Sequence, residues 1–319
     1  MKAALVSETG KTPVYGDFKT PNPAHGEVQI AVTAAALSPT VKSRAAGKHY
    51  SATGNIPFVA GVDGVGRLKD GRRVYFAVAE EPFGSMAEQA VVKPSHYVPL
   101  PEAVDDVTAA ALAIPGVSSW AALKMRAKLA VGETVLVNGA TGTAGRLAVQ
   151  IAKHLGAKKV IATGRNVEAL QRLTALGADV IIPITQSAEA LETEFQEQFR
   201  GDGVDVVLDY LWGQSAELLI TAAAKAAEEG VPIRYIEIGA ISGANISLPS
   251  AALRACALQL MGSATGSIPV ELLIVAVGEL LEAVVPGHLK IETEAIPLAD
   301  VEEAWTKDSR NRRIVFIVG

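Results

Sequence analysis

One stretch of the chain, residues 134–166, restricts the possible folds more than any other. It begins with a short apolar segment, Thr134–Asn138, which is typical of a buried strand, and continues into a turn rich in glycine. A helix is predicted over Ala144–Leu155 and a second strand over Lys159–Thr163. A helix that joins two strands in this way places them parallel in one sheet and packs across a face of that sheet.

The alternation of strand and helix continues to about residue 263. The predicted strands are Thr134–Asn138, Lys159–Thr163, Val180–Ile184, Val204–Asp209, Ile233–Ile238 and Leu258–Ser263, and the predicted helices are Ala144–Leu155, Val167–Leu176, Ala188–Phe199 and Ser215–Ala227. Short apolar strands with little polar alternation are typical of a parallel sheet buried on both faces. The segment therefore predicts a doubly wound α/β domain of the Rossmann type.

The segments on either side have a different character. Before residue 107 the chain is rich in predicted strands separated by turn residues, with a helix over Thr40–Ala46. From about Val107 the sequence predicts an alanine-rich helix that includes the stretch AAALAIP, and a second helix is predicted over Ser119–Ala127. After residue 268, a helix over Val270–Val284 precedes strands over Glu292–Pro297 and Arg313–Val318.

These last strands need a sheet to join, so we expect them to return to the N-terminal strands. The expected organisation is a discontinuous β-rich substrate domain, residues 1–115 and 268–319, and a dinucleotide-binding domain, residues 116–267.

Composition excludes several classes of function. The 319 residues carry a formal net charge of −5 with no long basic run, and aromatic residues make up 5%, which argues against nucleic-acid binding. The only cysteine, Cys256, excludes an intrachain disulfide and a zinc site built from several cysteines. No uncharged apolar run reaches the length of a membrane span, and no secretory leader is evident. We therefore expect a cytoplasmic protein without a membrane partner.

The glycine turn has small residues where a dinucleotide needs them. Ala140 allows a tight turn out of the strand, Gly142 allows backbone amides to approach a pyrophosphate, and Gly145 allows the helix to pack close to the strand. The N-terminus of that helix presents unpaired N–H groups and a partial positive charge. Small residues could serve tight packing alone, but a strand before the turn and a helix after it favour dinucleotide binding.

The second strand ends in Gly164-Arg165-Asn166, without an acidic residue. An NAD site normally has Asp or Glu about 20 residues past the turn, where it binds the ribose 2′-hydroxyl. Arg165 occupies that place, and a guanidinium can bind a 2′-phosphate through paired charged hydrogen bonds. The sequence therefore predicts NADPH as the coenzyme, with a solvated loop charge as the alternative role of Arg165.

Several motifs in order resemble one family over nearly the whole chain. They are GEVQIAVTAAALSP at Gly26–Pro39, PFVAGVDGVGRLKDGRRVYF at Pro57–Phe76, AAALAIPGVSSWAAL at Ala109–Leu123, GETVLVNGATGTAG at Gly132–Gly145, YIEIGAISG at Tyr235–Gly243 and LMGSATG at Leu260–Gly266. Together they are similar to the zinc-independent, quinone oxidoreductase-like branch of the medium-chain dehydrogenases/reductases. In that family a GroES-like β-rich domain accompanies the Rossmann domain.

The resemblance implies hydride transfer from NADPH to a quinone or to an α,β-unsaturated carbonyl compound, in a cleft between two domains. It also implies a homodimer joined through the late strands of the nucleotide domain. Together with the glycine turn, the resemblance implies a set of residues that contact the coenzyme: Ser118, Asn138, Ala140, Thr141, Gly142, Thr143, Ala144, Gly145, Gly164, Arg165, Asn166, Tyr210, Gly239, Ala240, Ile241 and Arg313.

The resemblance also locates the zinc ligands that this chain lacks. Zinc-dependent relatives have Cys near Ser38 and a Gly-His-Glu where this chain has Gly61-Val62-Asp63. A catalytic zinc needs three protein ligands and an open position, so we expect a zinc-free enzyme. By family position, the candidate proton donors are Tyr50, which is preferred, Ser38, Lys42 and His49, with solvent as an open alternative and a packing role as the alternative for Tyr50. Asp63 is expected to bind backbone amides.

Other classes fit less well. A Tyr-x-x-x-Lys pattern, used by short-chain dehydrogenases, occurs at Tyr15–Lys19, but it precedes the glycine turn instead of following it on a helix. The G-x-S-x-G pattern of α/β hydrolases is absent. A non-catalytic NADPH-binding redox sensor or structural protein on the same fold stays open, since a fold does not determine a function.

Overall fold

The computed structural model describes residues 1–49, 55–77, 79, 81–307 and 312–319. The chain divides into two compact units, a β-rich unit of residues 1–114 and 269–319 and a nucleotide unit of residues 115–268.

The described strands are β1 Lys2–Val6, β2 Val14–Asp17, β3 Val28–Ala36, β4 Phe58–Val59, β5 Asp63–Arg67, β6 Arg73–Ala77, β7 Gln89–Val92, β8 Tyr97–Pro99, β9 Thr134–Asn138, β10 Lys159–Gly164, β11 Val180–Pro183, β12 Val206–Asp209, β13 Ile233–Glu237, β14 Leu258–Gly262, β15 Thr293–Pro297 and β16 Arg313–Ile317.

The described α-helices are α1 Pro39–Ala45, α2 Asp106–Ala121, α3 Thr143–His154, α4 Val167–Leu173, α5 Ala188–Arg200, α6 Gly213–Ala226, α7 Ala252–Ala255, α8 Val270–Ala283 and α9 Val301–Trp305. Single 3₁₀ turns lie at Pro94–His96, Thr174–Leu176 and Leu298–Asp300, and a π-helical segment at Ala122–Ala127.

The nucleotide unit contains a six-stranded parallel sheet in the order β11-β10-β9-β12-β13-β14. The order reverses its direction beside β9, which is the switch point where doubly wound domains bind ligands. Leu136, Ile161 and Val207 from three neighbouring strands are fully buried and pack with Phe195 of α5 and Leu219 of α6. This parallel sheet confirms the predicted Rossmann fold. Its strands are apolar because helices cover both faces of such a sheet.

The β-rich unit contains an antiparallel-dominated sheet in the order β15-β16-β3-β5-β6-β8, with β7 also paired to β3. A second sheet has the order β2-β1-β4. The C-terminal strand β16 pairs antiparallel with β3, so the end of the chain joins the N-terminal sheet as predicted. Ile30, Phe76 and Phe316 lie in its buried core.

The prediction of two separate helices around Pro115 was wrong. The helix α2 continues through Pro115 and passes directly into the π-helical segment, which ends at Lys128 with φ of 51°. Proline removes one backbone donor, and the hydroxyls of Ser118 and Ser119 donate to the carbonyls of Pro115 and Gly116 at 2.8 and 3.1 Å. Burial then outweighs the local cost.

Among the described residues, the continuous helical segment Asp106–Ala127 is long and apolar enough to cross a bilayer, judged by length and composition alone. In the protein, 72% of its most apolar window is buried. The strands β2, β4 and β8 were not predicted. Tyr15 lies on β2, so the Tyr-x-x-x-Lys pattern begins on a strand instead of a helix.

Candidate coenzyme site

The glycine turn between β9 and α3 is fixed by the end of the neighbouring strand β10. The backbone N–H of Ala140 donates to the carbonyl of Thr163 at 2.8 Å, and that of Gly139 donates to the Thr163 hydroxyl at 3.1 Å. The same hydroxyl donates to Oδ1 of Asn138 at 2.7 Å. These bonds hold the turn at the carboxyl ends of two adjacent parallel strands, where a ligand of this fold is bound.

Two glycines of the turn are needed for opposite reasons. A Cβ atom on Gly145 would lie 2.5 Å from the carbonyl oxygen of Gly139 and 2.6 Å from Cα of Ala140, so α3 can approach the strand only without a side chain there. A Cβ on Gly142 would meet nothing within 4 Å, and Gly142 is exposed at the N-cap of α3. The space above Gly142 is therefore open to a ligand, next to N–H groups that the first turn leaves unpaired.

A buried polar network lies directly behind the turn. The Asp209 carboxylate is fully buried, and its Oδ1 accepts from Asn138 Nδ2 at 2.8 Å while its Oδ2 accepts from the Tyr235 hydroxyl at 2.7 Å. Asn138 Nδ2 also donates to the Ser215 hydroxyl at 2.9 Å. Burial, followed by the Asp209 charge, raises the pKa of Tyr235 well above its usual value, so Tyr235 remains a donor. The network ties β9, β12 and β13 together at their carboxyl ends.

The same carboxylate holds the loop after β12. Its Oδ1 accepts from the backbone N–H of Leu211 at 2.9 Å and of Trp212 at 3.1 Å. Trp212 has φ of 57° and ψ of −156°, a conformation that is almost restricted to glycine and costs about 1–3 kcal/mol. A strained residue persists where its surroundings determine it, and here the buried Asp209 does so.

Arg165 lies beside a cavity of about 210 Å³ in the nucleotide unit. The polar side chains that line the cavity with it are those of Gln186, Gln214, Ser215 and Ser242. The described lining contains no carboxylate, and Arg165 is exposed without an ion pair in the described chain. The described lining therefore contains one cationic side chain and no acidic one, which fits a phosphorylated ribose.

Arg146 is a residue of this site that sequence reasoning missed. Its Nε donates to the carbonyl of Thr141 at 3.0 Å, so the guanidinium is held against the turn. No carboxylate of the described chain pairs with it. A cation near the positive N-terminus of a helix is unfavourable unless an anion is bound there, and this is the signal that could have identified it.

Other predicted contacts have mixed placements. Ser118 and Tyr210 are brought together, with Oγ and Oη 3.3 Å apart, and burial raises the pKa of Tyr210 to about 12. Asn138 is fully buried with both amide hydrogens and its oxygen engaged, so its side chain positions the turn and offers no free group to a ligand. The Asn166 side chain accepts from Ala169 N at 2.9 Å and caps α4.

The remaining small residues follow strand ends. Thr143 and Ala144 form the first turn of α3, and Gly164 ends β10 with the Thr141 side chain against it. Gly239, Ala240 and Ile241 follow β13, where the N–H of Gly239 donates to the Asp209 carbonyl at 3.2 Å. The backbone of this segment is thus placed at the same sheet edge as the turn.

Three residues predicted for the site do not lie in the described part of the nucleotide unit. Ser38 is buried and its Oγ accepts from Val41 N at 3.0 Å, so it caps α1. Arg313 is 6% exposed in the interior of the β-rich unit and interacts with buried Asp63, and its contact with a coenzyme stays a prediction. Tyr50 lies outside the described residues.

Among the described residues, no group of three or more His, Cys, Asp or Glu could hold a metal ion. The expectation that Asp63 binds backbone amides was wrong. One carboxylate oxygen accepts from the Tyr75 hydroxyl at 3.2 Å, and the other has no hydrogen-bond partner in the described chain.

Comparisons with known proteins agree with this geometry. A family model described as zinc-binding dehydrogenase matches residues 144–277. A probable NADPH-dependent quinone reductase from Emericella nidulans is 27% identical, with 99% of this chain and 100% of the relative covered. An NADPH-dependent alkenal/one oxidoreductase from Arabidopsis thaliana is 32% identical over 64% of this chain and 58% of the relative.

Among solved structures, the quinone oxidoreductase of Thermus thermophilus, which was also solved as its complex with NADPH, has a TM-score of 0.80 at 27% identity. The likeness covers 99% of this chain and 100% of that one, so it extends over both units. With the Rossmann sheet, the glycine turn and the returning C-terminal strands, this establishes the family. The chain belongs to the medium-chain dehydrogenases/reductases of the quinone oxidoreductase-like type.

Proposed function

We propose that the protein is an NADPH-dependent oxidoreductase that transfers a hydride, without zinc, to a quinone or to an α,β-unsaturated carbonyl compound. The observation that carries the proposal is Arg165, which directly follows the strand β10 of a Rossmann sheet and lies beside a cavity whose described lining has no carboxylate. Relatives named as a quinone reductase and as an alkenal/one oxidoreductase support the two classes of acceptor.

Several residues would hold the coenzyme, which supplies the hydride when bound. The first-turn N–H groups of α3, at Thr143 and Ala144, would face the pyrophosphate over the open side of Gly142. Arg165 would bind the 2′-phosphate. The further contacts proposed are Ser118, Ala140, Thr141, Gly145, Gly164, Asn166, Tyr210, Gly239, Ala240, Ile241 and Arg313, with Asn138 positioning the turn.

The acceptor class follows from the absence of zinc ligands at Ser38 and Val62. Without a Lewis acid, an isolated ketone is difficult to reduce, whereas a quinone or an enone delocalises the added charge onto its own oxygen. The protein then has to position the acceptor and exclude water. The Ser38 hydroxyl accepts one bond and keeps its hydrogen to donate, so Ser38 stays a proposed proton donor. Tyr50 stays the other proposed donor on the family resemblance alone.

The direct test is oxidation of NADPH with 1,4-benzoquinone, 9,10-phenanthrenequinone and a 2-alkenal as acceptors. We expect turnover with at least one of these acceptors, and we expect a metal chelator to leave the turnover rate unchanged. Binding of NADPH without turnover across the panel would instead favour the alternative, a non-catalytic redox sensor or structural protein. Loss of activity on chelation, restored by stoichiometric zinc, would contradict the zinc-free mechanism.

We also propose a homodimer formed through the late strands of the nucleotide unit. β14 is an edge strand of its sheet, so among the described residues no strand pairs with its outer side. Leu260 on β14 is 39% exposed and Leu253 just before it is 47% exposed. Apolar side chains on an open edge favour pairing with a second copy. The β-rich unit is the proposed substrate domain, and the proposed location is the cytoplasm.

A further inference from the structure

Three polar residues are buried together in the β-rich unit. Asp63 begins β5, Tyr75 lies on β6 and Arg313 begins β16, and their exposed fractions are 0%, 1% and 6%. A carboxylate and a guanidinium are among the groups least often found inside a protein, because removing either from water is expensive. Their presence in one interior therefore requires an explanation.

The sheet register places them on a common face. Val65 is opposite Tyr75 on one side and Ala34 on the other, and Ala36 is opposite Val315. Directly opposed residues point to the same face of a sheet, as do residues two apart on one strand. Asp63, Tyr75 and Arg313 therefore share the face on which small alanines of β3 lie between them.

The hydrogen bonds of this cluster are incomplete. The Tyr75 hydroxyl donates to Oδ2 of Asp63 at 3.2 Å. Oδ1 of Asp63 and both Nε and Nη2 of Arg313 are buried with no hydrogen-bond partner in the described part of the chain. Asp63 and Arg313 attract each other by charge. An ionised Asp63 therefore has one oxygen whose charge no donor stabilises.

We propose that Asp63 is a buried proton-binding site, in which Oδ1 takes up one proton from solvent and Arg313 and Tyr75 set the affinity for it. In this step an O–H bond forms on Oδ1 and the carboxylate becomes a neutral carboxylic acid, while Tyr75 continues to donate to Oδ2. No electron moves and no co-reactant is required. When the proton leaves, the carboxylate attracts Arg313 more strongly.

The electrostatic environment supports this assignment. Burial raises the pKa of Asp63 to about 7, against the opposing effects of the Arg313 charge and, after it, the Tyr75 hydrogen bond. In the described chain no other titratable group acts on Asp63. Because the pKa of Asp63 is raised on folding, the contribution of its protonated form to stability is fully present below the unfolded pKa of 3.8 and is lost as pH rises through about 7.

Arg313 is also a proposed coenzyme contact, so the charge on Asp63 would make NADPH affinity dependent on pH. That consequence rests on the proposed function, whereas the proton site itself does not. The test below is therefore made on the full chain without coenzyme, and its failure would leave the proposed function intact.

The experiment compares urea unfolding of the wild type and of Asp63→Asn from pH 4 to pH 8. We expect the folding equilibrium constant of the wild type, divided by that of the variant, to fall by up to about tenfold per pH unit until pH 7 and then to level off. Infrared spectroscopy at pH 6 should show the C=O band of a protonated carboxylic acid that Asp63→Asn removes. A flat ratio together with no such band would overturn the proposal.

Two further variants test the proposed partners. Arg313→Met should move the inflection to higher pH, because it removes the larger of the two interactions that favour the ionised form. Tyr75→Phe should move it in the same direction by less, and it serves if Arg313→Met does not fold. Asp106→Asn is the matched control, since Asp106 pairs directly with Arg73 at 2.5 Å and should leave the inflection unchanged. An inflection unmoved in Tyr75→Phe and Arg313→Met alike would contradict the role of these partners.

Discussion

Two alanine substitutions in the glycine turn separate the requirements of the fold from those of the ligand. Gly145→Ala places a Cβ 2.5 Å from the carbonyl oxygen of Gly139 and 2.6 Å from Cα of Ala140. Both atoms belong to the backbone, so neither can rotate away. Gly142→Ala places a Cβ in open space, with no atom within 4 Å, at a residue with φ of −75° that any amino acid adopts.

The magnitudes follow from these distances. Overpacking of this kind costs about 1–3 kcal/mol, and alanine recovers about 1 kcal/mol of helix propensity at most. We expect Gly145→Ala to be destabilised by about 2 kcal/mol, which lowers Tm by roughly 3 °C for a chain of 319 residues. For Gly142→Ala the smaller entropy of the unfolded alanine chain offsets a weaker N-cap, so its stability should equal that of the wild type.

The assay has two parts. Thermal melts without coenzyme measure stability, and fluorescence titration with NADPH measures affinity. Gly142→Ala should melt normally but bind NADPH at least about tenfold more weakly, since its methyl group would lie where we propose that the pyrophosphate approaches the backbone. The reasoning is refuted if Gly145→Ala melts like the wild type, or if Gly142→Ala binds NADPH with unchanged affinity.

Two further predictions concern the nucleotide unit. Tyr235→Phe removes one hydrogen bond to buried Asp209 and should lower the free energy of unfolding by about 2 kcal/mol, measured in urea; an unchanged midpoint would show that the bond is not needed. Leu260→Glu places charge on the open edge of β14 and should convert the proposed dimer to monomer in analytical ultracentrifugation. A dimer that persists unchanged would place the interface elsewhere.

The parallel sheet could be predicted well because its strands are local signals. Thr134–Asn138 is apolar, ends in a polar residue and is followed by glycine, and the observed β9 has the same bounds. The strand β4 has two residues, Phe58 and Val59, and exists only through its pairing with β1. Such a strand has no periodicity to detect, because tertiary contact alone defines it.

In the candidate site, too, local sequence signals could be predicted and contacts between distant residues could not. Arg165 could be identified because it lies a fixed distance along the chain from the glycine turn. The role of Asp209 could not, because its partners Asn138 and Tyr235 are 71 and 26 residues away in sequence. Pro115 misled the prediction since its cost is local, whereas the burial that outweighs it comes from distant residues.

The central claim is that Arg165 makes this chain an NADPH enzyme, and coenzyme kinetics test it most directly. With a fixed acceptor, we expect kcat/KM to be higher for NADPH than for NADH, and Arg165→Ala to raise KM for NADPH about 10–150-fold while leaving NADH unchanged, as loss of charge-assisted hydrogen bonds worth about 1.5–3 kcal/mol requires. Arg172→Ala, which removes an exposed arginine paired with Glu168, is the matched control and should change neither coenzyme. A preference for NADH, or equal losses for both coenzymes in Arg165→Ala, would contradict the account.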